Sequence, residues 1–105
     1  MNKIAELNDR FRTTFSGGRV VMTAAFESLP DATKAKALDA VRTFSAFTPD
    51  NDPYGEHDLG MLEIDGERIM FKIDCYDLTM QYGSEDPANS AVTLRVLTIM
   101  LASDY

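Results

Sequence analysis

A chain of 105 residues, 45% of them hydrophobic, suits a single domain over residues 1–105 with one core and excludes an extended disordered tract. A lone cysteine, Cys75, excludes an internal disulfide. The opening Met1-Asn2-Lys3-Ile4-Ala5-Glu6 lacks a signal peptide's apolar run and no segment approaches the ~20 apolar residues of a membrane span, so the expected location is the cytoplasm. The formal net charge of −7 is divided unevenly: residues 1–48 balance at +2 and residues 49–105 at −9. Such a field repels phosphate backbones, which argues against direct nucleic-acid binding and for a basic partner.

Ile4, Leu7, Phe11 and Phe15 recur at helical spacing and predict a first helix that stops at Gly17-Gly18. That glycine pair lacks the Lys-Ser/Thr of a phosphate loop and reads as a helix end. Val20-Val21-Met22-Thr23 is a short β-branched strand. Ser28 reads as the cap of a second helix, with Pro30 and Asp31 in its first turn, running to about Phe47 with Ala37, Leu38, Val41 and Phe44 inward. Residues 60–64 and 67–73 flank Asp65-Gly66 and predict a hairpin with a two-residue turn, in which paired residues sum to 131. Leu62 then faces Ile69, Glu63 faces Arg68, Gly60 faces Phe71 and, by extension, His57 faces Asp74. Leu78–Tyr82 alternates as a third antiparallel strand, and the apolar residues from Val92 to Leu101 read as a last, central helix. The expectation is an α+β fold of three helices packed on a mainly antiparallel sheet of three to four strands, in the order α-β-α-β-β-β-α.

Thr48–Gly60 holds four carboxylates and the only histidine of the chain. Asp50-x-Asp52-x-Tyr54-Gly55 imitates the start of a calcium loop, but the twelfth position is Met61, so an EF-hand is excluded. A looser divalent site would use Asp50, Asp52, Glu56 and His57, and one histidine with one distant cysteine is too little for zinc. An enzyme reading would use His57 oriented by Asp74, with Tyr76 as proton donor. Cys75 continues the alternation Ile69, Phe71, Ile73 and belongs to the core face. A recognition reading uses Asp50, Asp52, Tyr54, Glu56, His57, Asp58, Glu63, Asp74 and Asp77, bordering Met61, Met70 and Lys72 on the open sheet face. No cofactor is implied.

Asn51-Asp52-Pro53-Tyr54-Gly55-Glu56-His57-Asp58 and Arg95-Val96-Leu97-Thr98-Ile99-Met100-Leu101-Ala102-Ser103 make the chain resemble a family of small bacterial proteins. The family is mostly alphaproteobacterial, is often carried on plasmids or other mobile elements, and is known only as a domain of unknown function. It usually has an aromatic residue where Cys75 stands, which implies no shared chemistry for the thiol. The resemblance implies a neighbourhood of mobile DNA, where small acidic proteins inhibit or regulate host machinery. The favoured expectation is therefore a non-enzymatic protein whose acidic half meets a basic protein or nucleoprotein complex, of the anti-CRISPR type. The alternatives are a small hydrolase or metal-dependent enzyme, and a homodimer that uses the open sheet face.

Overall fold

In the computed structural model, which describes residues 2–105, helix α1 spans Lys3–Thr14 and is opened by Asn2, whose side chain accepts the Ala5 N–H at 2.7 Å. The helix closes at Phe15, two residues before the glycine pair, with a left-handed backbone (φ 56°) and its N–H on the Phe11 carbonyl. A non-glycine residue costs about 1–2 kcal/mol there. The Arg42 guanidinium, 5.0 Å over the Phe15 ring, offsets part of that cost. The buried face of α1 is Ala5, Asn8, Phe11 and Arg12. The expected stripe through Ile4 and Leu7 is therefore rotated by about one residue, bringing two polar side chains inward.

Strand β1 (Arg19–Met22) leads to a short helix α2 (Ala24–Glu27), in a stretch for which the sequence predicts no element. Thr23, expected in the strand, caps α2 by accepting the Phe26 N–H. Ser28 closes α2 by donating its hydroxyl to the Ala24 carbonyl, and Pro30 takes the cap position of α3 (Asp31–Thr43). Helix α3 stops short of Phe47 because Phe44 turns extended (ψ 132°) and lays its ring edge-on against Phe47 and Phe71. Arg12 donates to the Val41 carbonyl at 2.8 Å, satisfying one acceptor at the α3 terminus.

The hairpin is as expected: β2 (Leu59–Ile64) pairs antiparallel with β3 (Glu67–Tyr76), with Gly60 opposite Phe71, Leu62 opposite Ile69 and Glu63 opposite Arg68. Asp65 and Gly66 both take positive φ, and the Asp65 carboxylate accepts from Thr33 and Lys36, fastening the turn to α3. The segment read as a last helix is strand β4 (Leu94–Leu101), antiparallel to β3 and parallel to β1. Its apolar run is nearly continuous because β4 is a central strand with both faces covered or half-covered, a pattern that periodicity alone does not separate from a buried helix. Leu78–Tyr82 is a turn. Asp77 accepts the Thr79 and Gln81 N–H groups, Met80 is left-handed, and the ladder continues only as a Tyr76–Gly83 bridge.

The architecture is α+β, in the order α-β-α-α-β-β-β: three helices and a four-stranded, mostly antiparallel sheet ordered β1-β4-β3-β2. Phe11, Phe26, Ala37 and Val41 from the helices pack on Ile69, Phe71, Ile73, Leu97 and Ile99 from one sheet face. By strand alternation the other face carries Val21, Leu59, Met61, Met70, Lys72, Asp74, Tyr76, Val96 and Met100.

Candidate functional site

The 48–58 segment is folded by its own side chains and then fixed to α1. Thr48 and Asn51 exchange bonds, the Thr48 N–H donating to Asn51 Oδ1 at 2.9 Å and the Asn51 N–H to Thr48 Oγ1. Asp52 turns inward, and its carboxylate accepts the Glu56 and His57 N–H groups at 3.1 and 3.2 Å. Gly55 and His57 take positive φ, which bends the chain back. Asn2 then donates to the Gly55 carbonyl and Asn8 to the Glu56 carbonyl, each at 2.9 Å.

His57 completes this attachment. Its ring stacks on Phe47 at 4.0 Å and 5°, Nδ1 lies 3.0 Å from both carboxylate oxygens of Asp9, and Nε2 lies 3.7 Å from Asp52 Oδ2. Asp9 is held in turn by Arg12 at 3.0 Å. The expected pairing of His57 with Asp74 is absent: the ladder ends at Asp58, whose carbonyl accepts the Ile73 N–H, and the left-handed backbone of His57 turns it towards α1. Asp74 instead receives Lys72 Nζ at 2.6 Å, and Asp74 and Tyr76 lie on the sheet face away from Phe71, against which Phe47 packs. His57, Asp74 and Tyr76 therefore do not form one constellation. Nor are Asp50, Asp52, Glu56 and His57 gathered for a metal: no three His, Cys, Asp or Glu side chains among the described residues are arranged to hold one.

What the fold does bring together is Glu56, Asp58 and Asp74, around a groove of about 220 Å³ beside the stretch of β3 that runs past the start of β2, floored by Ile73 and Cys75 and walled by Asn8. Burial pushes the Asp58 carboxyl above its ordinary value, and the Asp52 and Asp74 charges push it the same way against a bond from its own backbone. Burial likewise pushes the Cys75 thiol up, leaving it protonated and unsuited to nucleophilic work. The bond to Asp74 raises Lys72. The other expected binding residues scatter. Asp50 and Tyr54 are exposed on the loop, Glu63 sits across from Arg68 near the hairpin end, and Asp77 is committed to its turn, its carboxyl lowered first by the Thr79 hydroxyl.

Residue-by-residue reading of the sequence missed Asn2, Asn8, Asp9, Arg12 and Phe47, the groups that hold the loop. The available signal was polar Asn8 and Arg12 at helical spacing beside the apolar stripe of α1, where a purely amphipathic helix has no use for them. No curated protein and no solved structure matches the chain. A family model described as "Protein of unknown function (DUF3768)" matches residues 22–104, which takes in the last residue of β1, all of β2, β3 and β4, α2, α3 and all three groove carboxylates. The chain belongs to the DUF3768 family.

Proposed function

We propose that this chain is a non-enzymatic binding protein that docks a basic partner through the groove edged by Glu56, Asp58 and Asp74. One observation carries the reading: three carboxylates converge there with, among the described residues, only the Lys72 ammonium bonded to one of them, and Asp58, raised first by burial, is raised further by the Asp74 charge. A cationic side chain entering the groove relieves this repulsion, so the site gains more from a Lys or Arg than a solvated acid does. The geometry of His57 supports the same side. Both ring nitrogens face carboxylates that serve the loop, and among the described residues no hydroxyl or thiol is bonded to the ring. The partner class is a basic protein or nucleoprotein complex, met by protein contact; inhibition or regulation of a nucleic-acid-processing assembly, as by an anti-CRISPR, is the finer form of the proposal. A second copy of the chain would instead use the helix-free sheet face, where Val21 and Met61 are exposed.

Affinity capture with the wild-type chain and with the E56Q/D58N/D74N variant, eluted by a salt gradient, tests this. The expected result is a basic partner retained by the wild type, released as salt rises, and lost from the variant. Equal retention of the same partners by both proteins overturns it. The mass of the isolated chain in solution separates the homodimer.

A further inference from the structure

Arg95 is buried to 4% exposure, yet no carboxylate lies within ion-pair distance of it among the described residues. Its Nε donates to Asn8 Oδ1 at 2.8 Å and one terminal nitrogen donates to the Pro87 carbonyl, both neutral acceptors; the second terminal nitrogen, Nη1, has no protein acceptor among the described residues. A guanidinium largely withdrawn from water without a counter-charge is costly, and Nη1, which still touches solvent, is left free to receive an anion. Arg95 lines a groove of about 140 Å³ with Arg10, Ser16, Ser90, Leu7 and Phe11.

The composition of this groove runs against that of the molecule. The chain carries a net charge of −7, but two guanidiniums and two hydroxyl-bearing residues meet here with no acid among the lining residues. Arg10 is only loosely engaged, 3.6 Å from an exposed Glu6, and is free to swing. The nearby C-terminus of α1 would repel an anion if its carbonyls were bare. Of these the Phe11 carbonyl accepts the Phe15 N–H, and the two guanidinium charges of Arg10 and Arg95 outweigh the roughly half-unit charge of a helix end. Gly18 lets the backbone close over this corner, since a Cβ there would stand 2.6 Å from the Arg95 carbonyl oxygen and 2.8 Å from the Phe11 ring.

We infer that the Arg95–Arg10 groove is a binding site for an oxyanion, a carboxylate or phosphate group received on the Arg95 fork and closed over by Arg10. Guanidinium geometry matches both groups by paired N–H donors. Leu7 and Phe11 add an apolar wall that suits an organic acid better than a bare ion. The site shares no lining residue with the acidic groove, although Asn8 and Pro87, which Arg95 bonds, line that groove, and it does not require that groove to bind a basic partner.

Titration of the ¹⁵N-labelled full chain with inorganic phosphate and, separately, with benzoate tests the inference, sodium chloride at matched ionic strength serving as the blank. The expected result is a saturable shift of the Arg95 side-chain signal and of the Ser16, Gly17 and Ser90 amides. Benzoate saturating at lower concentration identifies an organic acid; equal response identifies the oxyanion alone. Arg10→Gln, an exposed position that leaves the core intact, should weaken binding by about tenfold, and Arg95→Lys should weaken it further by removing the fork. Shifts that do not saturate, that match the chloride blank, or that survive Arg10→Gln unchanged overturn it, even if Arg95→Lys fails to fold.

Discussion

His57 works in this molecule as a fastener. A ring stacked on Phe47 and bonded to Asp9 joins the 48–58 loop to both α1 and the segment after α3. His57→Ala should destabilise the fold by about 1–3 kcal/mol, the loss of one charge-assisted bond and one aromatic contact. Asp74→Asn, which removes a half-exposed partner of Lys72, should change stability by less than about 1 kcal/mol. Urea denaturation of the two variants checks the order, and equal losses would contradict it. Two aspartates titrate in opposite senses. Asp58 is raised, so its ionisation costs stability as pH climbs through its folded value, and that cost is absent below the ordinary value near 3.8. Asp58→Asn is therefore expected to raise the Tm at about pH 7 and to leave it unchanged at about pH 3. Asp77 is lowered, so its contribution is present above the ordinary value and is lost as pH falls through the folded one; Asp77→Asn should lower the Tm at neutral pH, with the difference closing in acid. Melting curves at the two pH values read both signs.

Among the elements, the hairpin was legible because its information is local: Asp65-Gly66 dictates the turn, and period-2 alternation fixes the register outward from it. The same register failed at His57 because a left-handed residue, invisible to alternation, ends the strand there. Leu94–Leu101 misled for a different reason. In this central strand Val96 and Met100, on the helix-free face, are themselves apolar and buried, so no period of two is printed and the sequence reads equally as a buried helix. The acidic loop was conspicuous by composition, but its fasteners on α1 are 48 residues away in sequence, and nothing local announces a contact of that range. Gly60 tests the packing that this arrangement demands. A Cβ at that position would run into the rings of Phe71 and Phe44, so Gly60→Ala should cost about 1–3 kcal/mol in denaturant melts, whereas Gly66→Ala, with open space around it, meets only its turn conformation. Equal losses in the two variants, or Phe71 and Phe44 ring NMR lines that do not move in Gly60→Ala, would contradict the steric account.

At the scale of the whole molecule, charge and packing divide the surface. The helices occupy one sheet face, and no helix of the described residues is long and apolar enough to cross a membrane. Carboxylates concentrate in the second half of the sequence, but the fold spends several on its own backbone, Asp52 and Asp77 above all, and leaves Glu56, Asp58 and Asp74 around one groove. For the basic partner proposed above, the net charge of −7 would supply long-range attraction and that groove the place of docking. The most direct measurement is a ¹⁵N chemical-shift map of the chain titrated with a short arginine-rich peptide at low and at high salt. The account predicts shifts centred on Glu56, Asp58 and Asp74 that shrink with salt and vanish in E56Q/D58N/D74N; shifts spread evenly over all exposed acids, or unchanged in that variant, would contradict it.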